Sequence, residues 1–158
     1  MKQKRITRQT LYMKMAELVS LRGTCNRKHV GAILVNPSTN RIVALGYNGS
    51  HHGSPHCSDV GCLISNGHCV RTTHAEVNAV LNLEKKYDQL ICYTTDQPCI
   101  NCFKVLAGAN IKSIFYLNPY EDKDRDELNS EININMVECH FSDETDELIF
   151  QAKPHPKQ

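Results

Sequence analysis

Two short strings, "THAEV" at residues 73–77 and "TDQPCINC" at residues 95–102, constrain this chain more than any other feature. They place His74, Cys99 and Cys102 at the starts of two helical segments. One imidazole and two thiolates form a donor set that suits zinc and leaves a fourth tetrahedral position open. Cys99 and Cys102 stand one helical turn apart, so both sulfurs face the same ion. Pro98 fits the first turn of a helix, where its missing N–H costs nothing, and the positive end of that helix favours thiolates. Glu76 lies two residues past His74, close enough to reach a water in the open position without ligating. Zinc brings the pKa of such a water to about 7, and a carboxylate in that place takes the proton and hands it on. A redox pair or half of a structural zinc site would explain C-x-x-C alone, but neither needs a carboxylate beside the histidine. The fold must therefore bring two helix N-termini together.

The rest of the chain alternates helices and strands. "TRQTLYMKMAELVSLRG" carries Leu11, Met15, Leu18 and Val19 at helical spacing, with Gly23 as a stop. "VGAILVN" and "RIVALGYN" flank the turn-like "PSTN" and predict a hairpin. A Gly-, His- and Cys-rich loop follows, then a helix over "HAEVNAVLNLEKK", a strand at "LICYTT", a helix at "CINCFKVLAGAN", and strands at "IKSIFYL" and "INMVECHF". The charged "NPYEDKDRDELNSE" reads as a loop or short helix. This order predicts an α/β fold, a mixed sheet with helices on both faces. With 158 residues, positions 1–150 make one domain and 151–158 a frayed tail.

Charge and cysteine content narrow the class. Eighteen basic and seventeen acidic residues leave no general attraction for a nucleic-acid polymer or membrane surface. The polar start "MKQKRITRQT" has no apolar segment after it, and no run reaches membrane-spanning length. Eight cysteines without a secretory signal point to reduced thiols, some of them metal ligands, in a cytoplasmic protein.

The pairing of "HAE" with "PCINC" resembles the zinc-dependent nucleoside and nucleobase deaminases. "GYNGS" after the second strand, the Cys-rich insert and "HCVRTTHAEVNAV" narrow the resemblance to the bacterial and phage deoxycytidylate deaminases, from about Leu11 to His140. The resemblance implies a three-layer α/β/α cytidine-deaminase-type fold around a mixed five-stranded sheet. The implied reaction is dCMP plus water giving dUMP and ammonia, which supplies dUMP for thymidylate synthesis. His74, Cys99 and Cys102 match the family's zinc ligands, and Glu76 its proton shuttle. Asn48 matches a sugar contact, although N-G is also a strong turn former. Arg27 and Tyr120 are placed by position to meet the 5′-phosphate, whereas Lys28 reads as surface charge. The family also implies activation by dCTP and inhibition by dTTP, with Mg2+ on the effector. Gly46, Tyr47, Asn48, Gly49, Ser50 and Arg71 are the candidates for that site, in a homohexamer. If the chain is viral, its compartment is the host cytoplasm.

Residues 51–69 hold four histidines and three cysteines and lie outside the catalytic motifs. Cys57 and Cys62 have a spacing common in structural zinc sites. Cys25 supplies a ligand from the turn after the first helix, and His68, with Cys69 as the alternative, closes the loop. Some relatives hold a second zinc at similar positions, which would staple this Gly-rich loop. Three rival readings compete. A deaminase acting on dCTP, or on both dCMP and dCTP, is the nearest. A tRNA adenosine deaminase shares HAE and PC-x-x-C but calls for a basic face. A non-catalytic zinc module leaves Glu76 without a purpose.

Overall fold

The apolar runs become the strands of one central sheet. In the computed structural model, which describes residues 4–151, the chain begins with α1 (Arg8–Ser20) and the hairpin β1 (Gly31–Asn36) and β2 (Arg41–Tyr47). The Gly-, His- and Cys-rich stretch holds β3 (Gly49–Ser50), α2 (Cys57–Val60), β4 (Ile64–Ser65), β5 (His68–Cys69) and β6 (Thr72–Thr73). Then come α3 (Ala75–Leu81), β7 (Leu90–Asp96), α4 (Ile100–Gly108) and β8 (Ile111–Asn118). The chain closes with α5 (Lys123–Ile132), β9 (Asn135–Phe141) and β10 (Leu148–Phe150).

The main sheet has six strands in the order β10-β9-β8-β7-β1-β2. β7, β8 and β9 run parallel, whereas β1 is antiparallel to both β2 and β7. The sixth strand goes beyond the five expected: β10 folds back on β9, pairing Leu148 with Phe141 and Phe150 with Cys139. Gln151 continues that edge by donating its N–H to Glu138 O at 2.9 Å, so the frayed tail does not begin there; residues 152–158 lie outside the described residues.

Strand alternation sorts the core into two faces. Ala32, Leu34, Cys92 and Ile114 pack with Ala75 and Ala79 of α3 and Phe103 and Leu106 of α4. On the opposite face Ile33, Val35 and Tyr93 pack with Tyr12, Met13 and Ala16 of α1. The result is helix, sheet, helix. Here α1 corrects the predicted apolar stripe. Leu11 and Leu18 are exposed, and the buried side is Thr10, Tyr12, Met13, Ala16 and Ser20. Met15 and Val19 of the predicted stripe pack at the margin of this core, and the helix comes closest at Ala16, where a Cβ on Gly31 would lie 2.0 Å from Ala16 O.

α3 lies just as close to β2, since a Cβ on Gly46 would stand 2.3 Å from Ala75 O. It ends at Leu81, short of the "NLEKK" that periodicity includes. Asn78 and Asn82 instead turn their amides to the sheet, donating to Tyr47 O and Leu45 O at 2.9 Å each. The charged segment becomes α5, with Asp122 as its N-cap accepting from Arg125 N at 3.0 Å. Among the described residues no helix is long and apolar enough to cross a membrane.

Candidate active site

Helices α3 and α4 start side by side at one end of the sheet, and each start carries metal-binding chemistry. His74 is the N-cap of α3 and Cys99 the N-cap of α4. His74 Nδ1 lies 3.2 Å from Cys102 Sγ and 3.7 Å from Cys99 Sγ, and the three donor atoms fall within 4.8 Å of one another. This set fits a tetrahedral zinc with one position left for a small ligand. The protonation pattern agrees. The hydrogen bond from Cys102 pulls the Cys99 thiol down to about 4 against its burial, with His74 assisting. That same bond, with burial, pushes Cys102 far up, and Cys99 raises His74. Two thiols and an imidazole compete here for too few protons, the arrangement a cation resolves.

Glu76, in the first turn of α3, is buried beside the same donors. Burial raises its carboxyl to about 7, opposed by its own backbone N–H and by His74. A carboxyl poised there exchanges a proton readily near neutral pH. His74, Glu76 and Cys99 line a cavity of about 810 Å³, large enough for a nucleotide.

Asn48, Arg27 and Tyr120 also line that cavity. Asn48 is buried and has structural work as well: its Oδ1 accepts from Val30 N at 2.8 Å and its Nδ2 donates to Lys28 O at 2.7 Å. Both readings of Asn48 thus coexist. Arg27 Nη1 donates to Gly67 O at 2.8 Å, bridging the cavity rim to the Cys-rich loop. Lys28 is no idle surface charge, because its ammonium spans to the buried carboxylate of Asp96. Asp96 sits in the cavity wall, with Oδ2 accepting from Thr95 Oγ1 at 2.9 Å. Sequence reasoning missed it, although its position two residues before Pro98, at the mouth end of β7, was a usable signal.

The residues marked for an effector are not gathered in the cavity apart from Asn48. Gly46 is a packing position under α3, and Tyr47 O accepts from Asn78. Gly49 and Ser50 pair with Thr73 and Thr72 across β3 and β6. Arg71 donates from Nε to Gly61 O at 3.2 Å.

A second group of donors forms in the Cys-rich loop. Cys25, Cys57, Cys62 and Cys69 bring their sulfurs within 4.8 Å of one another, with Cys57–Cys69 at 3.5 Å and Cys25–Cys62 at 3.8 Å. Cys69, rather than His68, stands with the other three; His68 is exposed, and both residues lie along the wall of the main cavity. The hairpin explains the choice. Neighbouring residues of a strand point to opposite sides, and pairing Cys69 with Ile64 turns Cys69 inward and His68 out. Burial and the neighbouring thiols push Cys57 up to about 12. Cys69 is drawn down to about 6, its burial outweighed by hydrogen bonds from the Arg71 and Leu63 backbone and from Cys57.

Comparisons with known proteins agree with this geometry. The family model described as "Cytidine and deoxycytidylate deaminase zinc-binding region" matches residues 6–118. ComE operon protein 2 of Bacillus subtilis is 38% identical over 157 residues, covering 97% of this chain and 80% of that protein. The deoxycytidylate deaminase of Schizosaccharomyces pombe is 33% identical over 119 residues, covering 69% of this chain but 36% of its own length. The dCMP deaminase of cyanophage S-TIM5, solved with dCMP and dUMP, superposes with a TM-score of 0.71 at 29% identity, covering 85% of this chain and 98% of that one.

Proposed function

The chain belongs to the cytidine and deoxycytidylate deaminase family, and from that premise we propose that it hydrolyses dCMP to dUMP and ammonia. One observation carries the reading. His74, Cys99 and Cys102 bring their donor atoms together at the wall of a nucleotide-sized cavity, which His74, Cys99 and the largely buried Glu76 line. A zinc module without catalysis would not bury an acid there.

Zinc held by His74, Cys99 and Cys102 supplies a water activated for attack near neutral pH. The chain's own groups do the rest. With that ion bound, Glu76 would carry one proton of the attacking water to N3 of the cytosine ring as the C4–O bond forms, and the water's second proton to the amine as the C4–N bond breaks. A carboxyl near 7 serves both steps, because it gains and loses a proton at small cost. Asn48 meets the sugar while holding the Lys28–Val30 backbone. Arg27, Lys28 and Tyr120 stand on the rim where a 5′-phosphate is met by cationic and hydroxyl donors.

The four thiols of Cys25, Cys57, Cys62 and Cys69 are assigned to a second, structural zinc. Their number closes a tetrahedral shell, and among the described residues no carboxylate joins them. The stretch around Gly46, Tyr47, Asn48, Gly49, Ser50 and Arg71 is assigned to nucleotide effectors: dCTP with Mg2+ as activator and dTTP as inhibitor. The enzyme is read as a homohexamer of the cytoplasm. Identical dCMP saturation curves with and without dCTP and dTTP would remove the regulatory part alone.

The test of the activity is ammonia release from the purified protein given dCMP, dCTP, deoxycytidine or tRNA. Turnover highest with dCMP is expected. Preference for dCTP would favour the nearest rival, and activity on tRNA alone would overturn the proposal.

A further inference from the structure

Arg125 is the most buried charged residue among those described, at 1% exposure, and the chemistry assigned so far leaves it no task. Its Nη1 donates to two backbone carbonyls at once, Pro98 O at 2.9 Å and Tyr120 O at 2.8 Å. Nε and Nη2 fork onto Asp126 Oδ1 at 3.0 and 2.8 Å, which fixes the plane of the guanidinium. Pro98 immediately precedes the ligand Cys99, and Tyr120 is a candidate phosphate contact. One nitrogen therefore ties the metal end of the cavity to its phosphate end.

Three more hydrogen bonds stitch the same two segments. Gln97 N donates to Asn118 O at 2.8 Å, Tyr120 N to Gln97 Oε1 at 2.8 Å, and Ile100 N to Asp122 Oδ2 at 2.7 Å. The charged segment is thus a brace against the metal turn. We propose that Arg125 is a positioning residue that holds the metal turn and the Tyr120 loop at the separation one nucleotide spans. The proposal rests on the dCMP reading above. The distance from the reacting ring carbon to the 5′-phosphate is set by the substrate, so phosphate contacts speed turnover only if the protein holds the matching distance.

Lysine keeps the charge at this position but cannot reproduce both the fork on Asp126 and the two carbonyl bonds. The experiment is a double-mutant cycle with Tyr120→Phe in native and Arg125→Lys backgrounds, reading kcat and KM for dCMP together with zinc content and Tm. Tyr120→Phe is expected to lower kcat/KM for dCMP about tenfold in the native background and no more than about threefold beside Arg125→Lys, because interacting sites are non-additive. Zinc content should stay constant, and Arg125→Lys should cost more with dCMP than with deoxycytidine, which has no phosphate. Asp126→Ala releases the guanidinium from its largely exposed partner without deleting the donor, and should also shrink the Tyr120→Phe effect if Arg125→Lys does not fold. Equal losses from Tyr120→Phe in every background would overturn the positioning role alone. A Tyr120→Phe variant as active as the native enzyme would overturn the phosphate reading and the positioning role with it.

Discussion

His74, Cys99 and Cys102 stand at the starts of two helices seated in the core, whereas Cys25 and Cys62 hang from loops, Cys57 from a one-turn helix and Cys69 from a hairpin of two-residue strands. Both groups bring donors within 4.8 Å, yet they differ in what surrounds them. The first has three donors, a buried acid and an open cavity. The second has four sulfurs and little local structure to hold them. Donor density therefore says little about chemistry. A missing fourth donor with a carboxyl beside it marks a reacting centre, and a completed set marks a staple.

The sharpest way to break this comparison is Glu76→Gln. Turnover is expected to fall by about 10²–10⁴-fold, as for other removed acid–base groups, while metal analysis finds the three-donor site still loaded. Unchanged ammonia release would make the two sites alike. Next in size is Cys57→Ser, which should take zinc from two ions per chain to one and lower Tm by roughly 5 °C, the shift of one to two kcal/mol in a domain of this size. A smaller fall in activity should accompany it, because Arg27 leans on the loop at Gly67 O. A metal content already at one in the native protein would strike out the staple.

A third effect concerns Asp122, which caps α5 and accepts from Ile100 N at the start of α4. Its burial works against ionisation, but hydrogen bonds from Arg125 N and Ile100 N outweigh it and hold the carboxyl below its usual range. The depressed folded pKa gives stability that is fully present above the unfolded value of about 3.9 and is lost as pH falls through the folded value. Asp122→Ala should cost about 1 kcal/mol at pH 7 and flatten the acid limb of a Tm–pH curve; an unchanged limb would show that other carboxyls set it. The smallest effect is that of Asn26→Ala. It deletes the bond from Nδ2 to Cys57 O at 3.0 Å, worth about 1 kcal/mol, and should lower Tm slightly with both zinc ions retained.

The gathering of His74, Cys99 and Cys102 was legible because their spacing is local. One helical turn separates Cys99 from Cys102, two residues separate His74 from Glu76, and a helix N-terminus turns both strings into geometry. The fourth sulfur was not. His68 and Cys69 are neighbours in sequence, and only the hairpin register, a non-local property, decides which one faces the other three. α1 failed for a related reason. Helical spacing admits two stripes, and the leucine stripe loses to Tyr12, Met13, Ala16 and Ser20 because Gly31 lets the helix come close. The α/β class and the two-sided helices followed from element order, but β10 did not, since three residues after a polar turn carry no strand pattern of their own. Arg125 was missed because a buried charge has no sequence signature until its partners are known, whereas Asp96 had only its place just before Pro98 to mark it.

The two asparagines of α3 have a consequence at the border of the sheet. β2 is an outermost strand, and such a strand ordinarily offers its free carbonyls to any passing chain. Asn78 and Asn82 already bond to Tyr47 O and Leu45 O. A foreign strand seeking to extend the ladder there must first displace both amides, so the helix that carries Glu76 also shields the protein from aggregation along this border.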